Sequence, residues 1–302
     1  MKDQTALFEF AEGRKDLLET SREIYNRAVT EYKPYAICLM FSGGDDSLTT
    51  LHVALQLGIK FDLIIHGITG TGITETHDFV KKTVETIPFK YVESNAGSVY
   101  TDYVLRKGFF GVGDGAHEFT YHLLKAGPFR KVISKHIRQG KRGRNILLIN
   151  GARRLESENR KKTMINPIKP DPTQPTNIWV NLINEWPDHS CSEYLEANGI
   201  ERNPVSKVLC RSGECLCGSQ QQLGDGFEAA AHFPVWGKWW KDLRQAVRDK
   251  GFSWDWSEPL PKGVALERKG QLNMFFQPMC SGCKLNYESA VAANSNNASC
   301  KM

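Results

Sequence analysis

The sequence predicts an α/β protein built on a parallel sheet with helices on both faces. Three observations predict it. Short apolar runs alternate with stretches of helical periodicity over the first half of the chain. Each run ends in a turn rich in Gly, Ser or Thr. One of those turns, Ser42-Gly43-Gly44-Asp45-Asp46-Ser47, sits between an apolar run and a helical pattern, where a parallel sheet places its ligands.

The elements follow in order. Residues 4–32 read as a helix, with apolar positions at Leu7, Phe10, Leu17, Leu18, Ile24, Tyr25, Ala28 and Val29. A first strand is expected over 35–41, then a helix over 48–57 closed by Gly58. A second strand covers 61–68, and a helix over 74–87 has Thr74 as its expected N-cap. A third strand covers 89–93. Helices follow at 98–107 and 115–138, joined by the glycine-rich 108–115 segment. A fourth strand is read at 145–150, with further strand-like stretches at 164–168 and 178–183. Four regions result: an N-terminal helix (1–34), the α/β domain (35–205), a Cys-rich region (206–287) and a tail (288–302) whose Ala, Ser and Asn content predicts disorder. No internal repeat is present.

Composition narrows the class. The 302 residues carry 40% hydrophobic and 24% charged side chains, ordinary for a globular protein. No apolar run approaches the roughly 20 residues that span a bilayer, and Met1-Lys2-Asp3-Gln4 does not open a signal peptide. A cytoplasmic protein is expected, in which eight cysteines point to metal or redox chemistry more than to disulfides. The net charge is +5, but between Arg130 and Lys169 thirteen Lys and Arg residues face only Glu156 and Glu158, a local charge of +11. Such a block suits nucleotide phosphates, a nucleic-acid backbone, or a solvated surface.

The turn at 42–47 has the chemistry of an anion cradle. Its glycines let the backbone approach a phosphate, and the following helix offers unpaired N–H groups and a partial positive charge. Ser42 and Ser47 add hydroxyls, and Asp46 can hold a divalent metal. The spacing is not that of a Walker loop. It resembles the PP-loop of the N-type ATP pyrophosphatases, Ser-Gly-Gly-x-Asp-Ser, with Asp45 at the variable position, expected to face solvent or to help hold Mg²⁺.

Three further stretches widen the likeness. Ile64 to Thr76 resembles the strand and Thr-Gly-x-x-x-x-Glu-Thr turn of phosphoadenosine-phosphosulfate (PAPS) reductases. Asn150-Gly151-Ala152-Arg153-Arg154-Leu155-Glu156-Ser157 resembles their Gly-x-Arg-x-x-Glu-Ser segment, and Asn181 to Trp186, then Ile200 and Asn203-Pro204, their strand and Asn-Pro stretch. The resemblance spans 35–220 and implies an adenine-nucleotide α-hydrolase-like (Rossmann-like, HUP) sheet plus a small Cys-rich metal lobe. It further implies that backbone near Leu39–Phe41 and His66, Gly67 and Ile68 holds adenine and ribose. Ser42, Gly43, Gly44 and Ser47, with Gly151, Arg153 and Arg154, would meet phosphate or sulfate oxygens. The reductases carry a degenerate loop and a nucleophilic Cys in Glu-Cys-Gly; here Gly43 and Gly44 are kept, and the tail ends Ala298-Ser299-Cys300-Lys301-Met302. Both departures shift the likeness toward ATP-using relatives of the DndC and SspD type in DNA phosphorothioation.

The cysteines form two clusters, Cys210, Cys215 and Cys217, then Cys280 and Cys283. Four-thiolate ligation of a [4Fe–4S] cluster or of Zn²⁺ is expected, leaving one of the five spare. The relatives place a [4Fe–4S] cluster where Cys210 begins, usually with a Cys-x-x-Cys spacing, from which Cys215-Leu216-Cys217 departs. Cys38 and Cys191 read as core. Trp236, Trp239, Trp240, Trp254 and Trp256 offer either a stacking surface for single strands or the packed face of a helix over 235–250.

The expectation is thus an ATP pyrophosphatase giving AMP and PPi, with Asp46, Ser47 and Arg153 catalytic and Mg²⁺ and ATP bound. It would adenylate an acceptor for sulfur incorporation, with DNA as the acceptor, a cysteine desulfurase as sulfur donor, and a homodimer as one possible assembly. The alternatives are a PAPS or adenosine-phosphosulfate reductase, a tRNA thiolation enzyme, and a nucleotide- or nucleic-acid-binding subunit without turnover.

Overall fold

Uniformly apolar strands such as Leu63-Ile64-Ile65 have no face that suits water, so they must lie between two layers. In the computed structural model, which describes residues 2–141, 143–187, 189–261 and 264, they do. The strands are β1 (Ala36–Met40), β2 (Leu63–Ile68), β3 (Tyr91–Asn95), β4 (Ile146–Asn150), β5 (Ile168–Pro170) and β6 (Asn177–Asn181). They form one sheet in the order β3-β2-β1-β4-β6-β5. Every pairing is parallel except that of β5 with β6. The expected parallel α/β sheet is therefore present, with one short antiparallel strand closing its edge.

Alternate strand residues feed two cores. Leu39, Ile64, Leu147, Ile149 and Val180 face one layer, where they meet Ile24 and Ala28 of helix α1 (Lys2–Tyr32) and Leu48 and Leu51 of α2 (Asp45–Gln56). Phe79 and Val80 of α3 (Thr74–Glu85) and Cys191 and Leu195 of α8 (Ser190–Ala197) complete that layer. Cys38, Met40, Leu63, Ile65, Ile146 and Leu148 face the other layer, which holds Phe129 and Ile133. Each fully buried side chain of this kind contributes about 1.5–3 kcal/mol. Cys38 and Cys191 are core residues, as expected; burial pushes the Cys38 thiol up to about 12.

Between β3 and β4 the chain forms α4 (Val99–Lys107) and then one long helical run. That run comprises α5 (Asp114–Tyr121), a π-turn over His122–Ala126, α6 (Gly127–Ile133) and a second π-turn over Ser134–Arg138. It crosses the sheet from the C-terminal ends of the strands to their N-terminal ends. The π-turns shift side-chain direction within the run, and they carry two half- or fully buried cations. Lys125 pairs with Glu214 at 2.8 Å, and Arg138 donates to Asn177 Oδ1 at 2.6 Å.

After β4 come α7 (Glu158–Thr163), α8, α9 (Pro204–Leu209), α10 (Leu223–His232) and α11 (Pro234–Asp249). The tryptophans of α11 turn inward. Trp236 and Trp240 stack with ring centroids 5.7 Å apart, and Trp256 meets Trp240 edge-on. Trp236, Trp254 and Trp256 donate their indole N–H groups to backbone carbonyls of Thr71, Phe109 and Leu216. Of the five expected for a stacking surface, only Trp239 is half-buried; the rest are core. Arg244, held over the Trp240 ring at 4.4 Å, makes a forked ion pair with buried Asp255.

Several boundaries differ from the sequence reading: β3 covers 91–95 where 89–93 is expected, and of the stretch expected at 164–168 only Ile168 is in a strand, β5. Helix α2 begins at Asp45, three residues early, because both acids lie in its first turn, where the helix dipole favours them. Helix α3 is capped by Ile73, not Thr74, since Ile73 takes the extended conformation and its N–H is bonded to Gly213 O. The described residues up to Glu258 form one compact unit. Among the described residues no helix is long and apolar enough to cross a membrane.

Candidate nucleotide-binding site

The strand order places β1 and β4 side by side, and their chains leave in opposite directions. The cleft opens at that switch point, where Ser42–Ser47 follows β1 and Gly151–Arg154 follows β4. Within the first loop, Ser42 Oγ donates to Ser47 Oγ at 3.1 Å, and Ser47 Oγ donates to Gly44 O at 2.9 Å. Gly43 has φ +79, and a Cβ there would stand 2.7 Å from Val80. Gly44 is the N-cap of α2, so the N–H groups of the first turn have no intrahelical partners and face an incoming anion.

Three tethers hold this loop, two of them ion pairs. Arg153 Nε lies 3.1 Å from Asp46 Oδ1, and its Nη1 donates to Pro187 O. Gly151 makes the approach possible: a Cβ there would lie 2.7 Å from Asp46 O. Arg202 Nη2 lies 2.5 Å from Asp45 Oδ2. Asp45 was expected to face solvent or Mg²⁺; it faces Arg202 instead, because α2 turns it toward the segment before α9. Asn203, wholly buried, donates through Nδ2 to Gly43 O at 3.0 Å and to Thr76 Oγ1 at 3.1 Å, while its Oδ1 caps α9 at Val205 N.

Arg154 lies apart from Asp46; its guanidinium pairs with Glu185 at 2.9 Å. Cys191 lies against the same carboxylate as Arg153, and its thiol is pushed up by burial and then by Asp46.

A strap over 212–216 crosses from the loop to the end of β2. Ser212 sits over Gly44, and Ser212 O accepts from Thr76 Oγ1. Gly213 O accepts from Ile73 N, Glu214 O from Thr69 Oγ1, and Thr71 Oγ1 from Leu216 N. Thr69, Thr71 and Thr76 of the 69–76 turn are thus occupied by the strap. The Glu214 carboxylate, nearly buried, accepts from Thr69 N and pairs with Lys125. Burial alone would lower the Lys125 pKa; the Glu214 carboxylate more than reverses that and raises it.

Beyond the strap lies a cavity of about 480 Å³ lined by His66, Gly67, Ile68, His77, Glu93, Glu214, Trp236 and Trp239, among others. His66 is buried and its Nδ1 lies 2.8 Å from Phe41 O. The carbonyl can only accept, so Nδ1 carries the proton and Nε2 remains an acceptor. Burial lowers the His66 pKa and keeps the ring neutral. Phe41 itself is a core side chain, its backbone N–H bonded to Ile65 O.

Of the expected metal ligands, Cys215 and Cys217 come together. The Cys217 thiol is held below the ordinary range by hydrogen bonding from Cys215, against burial, with Ser219 and Thr120 assisting; the Cys215 thiol is correspondingly raised. Cys210 is exposed at the left-handed C-cap of α9. Among the described residues no group of three or more His, Cys, Asp or Glu is arranged to hold a metal ion. Cys280 and Cys283 lie outside the described residues, as does Cys300.

Sequence reasoning missed Arg202, the tethering role of Asn203, and the strap with its Lys125–Glu214 pair. Only Asn203 carried a signal, as the residue before a proline at a helix start.

This cradle and its switch-point cleft define an α/β nucleotide-binding domain of the PP-loop type. The phosphoadenosine phosphosulfate reductase domain model matches residues 36–216, and the chain belongs to that family. No curated protein matches it in sequence. Among solved structures it is similar to PAPS reductase from Candida auris in complex with phosphate, at 15% identity and TM-score 0.43, covering 62% of this chain and 83% of that one. FMN adenylyltransferase from Candida glabrata in complex with ATP aligns at 12% identity and TM-score 0.47, covering 66% and 60%. The U34-tRNA thiolase NcsA from Methanococcus maripaludis with its [4Fe-4S] cluster aligns at 11% and 0.42, covering 84% and 88%.

Proposed function

We propose that the protein is an ATP pyrophosphatase that adenylates an acceptor oxygen in preparation for sulfur incorporation, with DNA phosphorothioate modification as the leading context. The observation that carries this reading is the undegraded loop at the start of α2, with Gly43 and Gly44 intact and Arg153 held 3.1 Å from Asp46. Gly43 and Gly44 let the loop pack closely against Val80 and Ser212, and the N–H groups at the start of α2 would take a pyrophosphate, which a sulfonucleotide lacks.

In the proposed step an acceptor oxygen attacks the α-phosphorus of ATP. The new P–O bond forms as the bond from the α-phosphorus to the oxygen bridging to the β-phosphorus breaks, and PPi leaves with that electron pair; a phosphodiester acceptor oxygen is already ionised and has no proton to lose. Backbone N–H groups of α2 and the Ser42 and Ser47 hydroxyls would receive the developing charge on PPi, and Arg153 would offset charge on the α-phosphate. Asp46, 29% exposed, has the donor chemistry to hold Mg²⁺, which commonly takes one or two carboxylates together with substrate phosphates and would neutralise them. The terminal sulfur of a desulfurase persulfide would then attack the acceptor's phosphorus and displace AMP, and a thiol reductant would cleave the resulting S–S bond to leave the thiophosphate. The cavity at His66–Ile68 suits the adenine and ribose.

The test is incubation with Mg²⁺ and α-labelled ATP, supplying an oligonucleotide acceptor and separating the nucleotides. AMP and PPi are expected, and both should fall at least a hundredfold in Asp46→Asn, which keeps the side-chain shape, with the far-ultraviolet circular dichroism unchanged. A fully active Asp46→Asn enzyme would sink the proposal. Intact ATP, with sulfite released from PAPS by a reduced thiol partner, would replace it with sulfonucleotide reduction.

A further inference from the structure

The basic block between Arg130 and Lys169 divides in the fold. Near the cleft four of its members are neutralised, Arg153 by Asp46, Arg154 by Glu185, Arg160 by Glu156 and Lys161 by Glu158, while Lys162 and Lys169 are exposed with no ion pair among the described residues. The helical run over 114–138 carries other members to the opposite end of the sheet, where β1, β2, β3 and β4 begin. There Lys131, Lys135, Lys141 and Arg144 are exposed, and among the described residues none of them is in an ion pair. Lys90, exposed just before β3, joins them: Lys90 and Lys135 both lie close enough to His136 to disfavour its protonation, after desolvation.

Tyr35 stands among these cations. It is 40% exposed, with Lys141 Nζ 3.1 Å from its hydroxyl and the Arg144 guanidinium 4.9 Å from its ring centroid. Tyr35 N bonds to Asn145 O, and Arg138, buried, donates to Arg144 O, so the loop bearing the cations is fixed to the sheet. Acids at this end include Asp62, whose carboxylate accepts from Ile37 N, together with Glu31 and Glu85. Seven residues of extended chain, at about 3.3 Å each, put Tyr35 about 20 Å from the loop.

We infer that this end of the sheet, around Tyr35, Lys90, Lys135, Lys141 and Arg144, is a docking surface for a nucleic-acid backbone, separate from the site of ATP chemistry. Unpaired cations on a fixed loop lose bound counter-ions to a phosphate chain at little cost in order. A flat aromatic ring flanked by guanidinium and ammonium groups also gives a base a face to stack on. A lipid surface fits less well, because Tyr35 is the one large apolar side chain exposed among these residues, and interfacial binding needs a buried apolar face. The inference does not depend on the reading of the loop's chemistry.

The experiment compares full-length wild type with Lys135→Glu/Lys141→Glu/Arg144→Glu. A second variant, Lys238→Glu/Lys241→Glu/Lys250→Glu, changes net charge equally on the exposed side of α11. Fluorescence anisotropy with a labelled mixed-sequence duplex of about 20 base pairs, and with the same single strand, is recorded from about 50 to 200 mM salt. The first triple should weaken binding at least tenfold and flatten the log–log salt slope by about 2–3 on duplex, close to 0.9 per lost phosphate contact. The α11 triple should change affinity less than twofold. ATP turnover without nucleic acid, and the melting temperature, should be the same in all three proteins. Equal losses in both triples, or affinity unchanged in the first, would overturn the inference. So would binding to phosphatidylserine vesicles without binding to either oligonucleotide.

Discussion

Replacing Asn203 tests whether the loop is shaped by its tethers. Asn203→Ala removes four hydrogen bonds at once: the cap on Val205 N, the donations to Gly43 O and Thr76 Oγ1, and a longer one to Ser212 O. Loss of an Asn cap costs about 1 kcal/mol. Thr76 Oγ1 keeps its bond to Ser212 O, but Gly43 is buried and its carbonyl loses this donor, at about 1–3 kcal/mol. The expected loss is therefore about 2–4 kcal/mol, with ATP affinity falling in parallel. Asn203→Asp separates the two contributions. It keeps the cap but sets a carboxylate against the Gly43 carbonyl, so it should be less stable than the alanine variant at neutral pH. It should recover as the pH falls toward about 4, where a protonated carboxyl can donate again. Urea unfolding followed by tryptophan fluorescence measures both. A loss under about 1 kcal/mol for Asn203→Ala, or wild-type stability for Asn203→Asp at pH 7, would refute the account.

Two further predictions concern buried titratable groups. His66 is held neutral by burial, with its pKa lowered, while the unfolded chain takes up the proton near the ordinary histidine value of about 6.5. The stability this contributes is complete above that value and is lost as the pH falls through it. His66→Asn should make unfolding free energy less pH-dependent between pH 7 and 5; an unchanged slope would show that His66 does not titrate on unfolding. Asp255 has its pKa lowered because hydrogen bonds from Arg244, Trp256 N and Arg248 outweigh desolvation. Its contribution is present above about pH 4 and is lost in acid. Asp255→Ala leaves Arg244, 11% exposed, without its carboxylate and should cost about 3–5 kcal/mol by urea unfolding; a cost under about 1 kcal/mol would mean that solvent replaces the pair.

Much of the architecture was legible because its causes are local. Apolar runs too short for helices, each closed by a glycine-rich turn, dictate buried parallel strands, and Ser42–Ser47 announces an anion cradle through its own residue types. What could not be read is carried by contacts that span the chain. Asn203 reaches Gly43 across 160 residues and Arg202 reaches Asp45 across 157. Nothing in local composition marks Ser212–Leu216 as a strap, because its bonds run through backbone groups that every residue possesses. The basic block looked continuous for a related reason. Sequence position does not show that the helical run over 114–138 crosses the whole sheet and sets Lys135, Lys141 and Arg144 apart from the paired Arg153, Arg154, Arg160 and Lys161.

The loop motif is therefore necessary for the cradle but does not determine its shape. Gly43 and Gly44 permit close approach of a phosphate, yet permissive residues would leave the loop free to collapse. Here Asn203 fixes Gly43, Arg202 fixes Asp45, Arg153 fixes Asp46, and Ser212 closes over Gly44. The four anchors come from three parts of the fold: the entry to α9, the end of β4 and the strap. Donors aimed before the ligand arrives need no reorganisation during reaction, which is where electrostatic catalysis gains most. The ordering cost is met during folding by buried contacts that also stabilise the domain. It follows that substitutions at Asn203 or Arg202, neither of which belongs to the six-residue motif, should move ATP turnover and stability together, whereas Asp46→Asn should move turnover far more than stability.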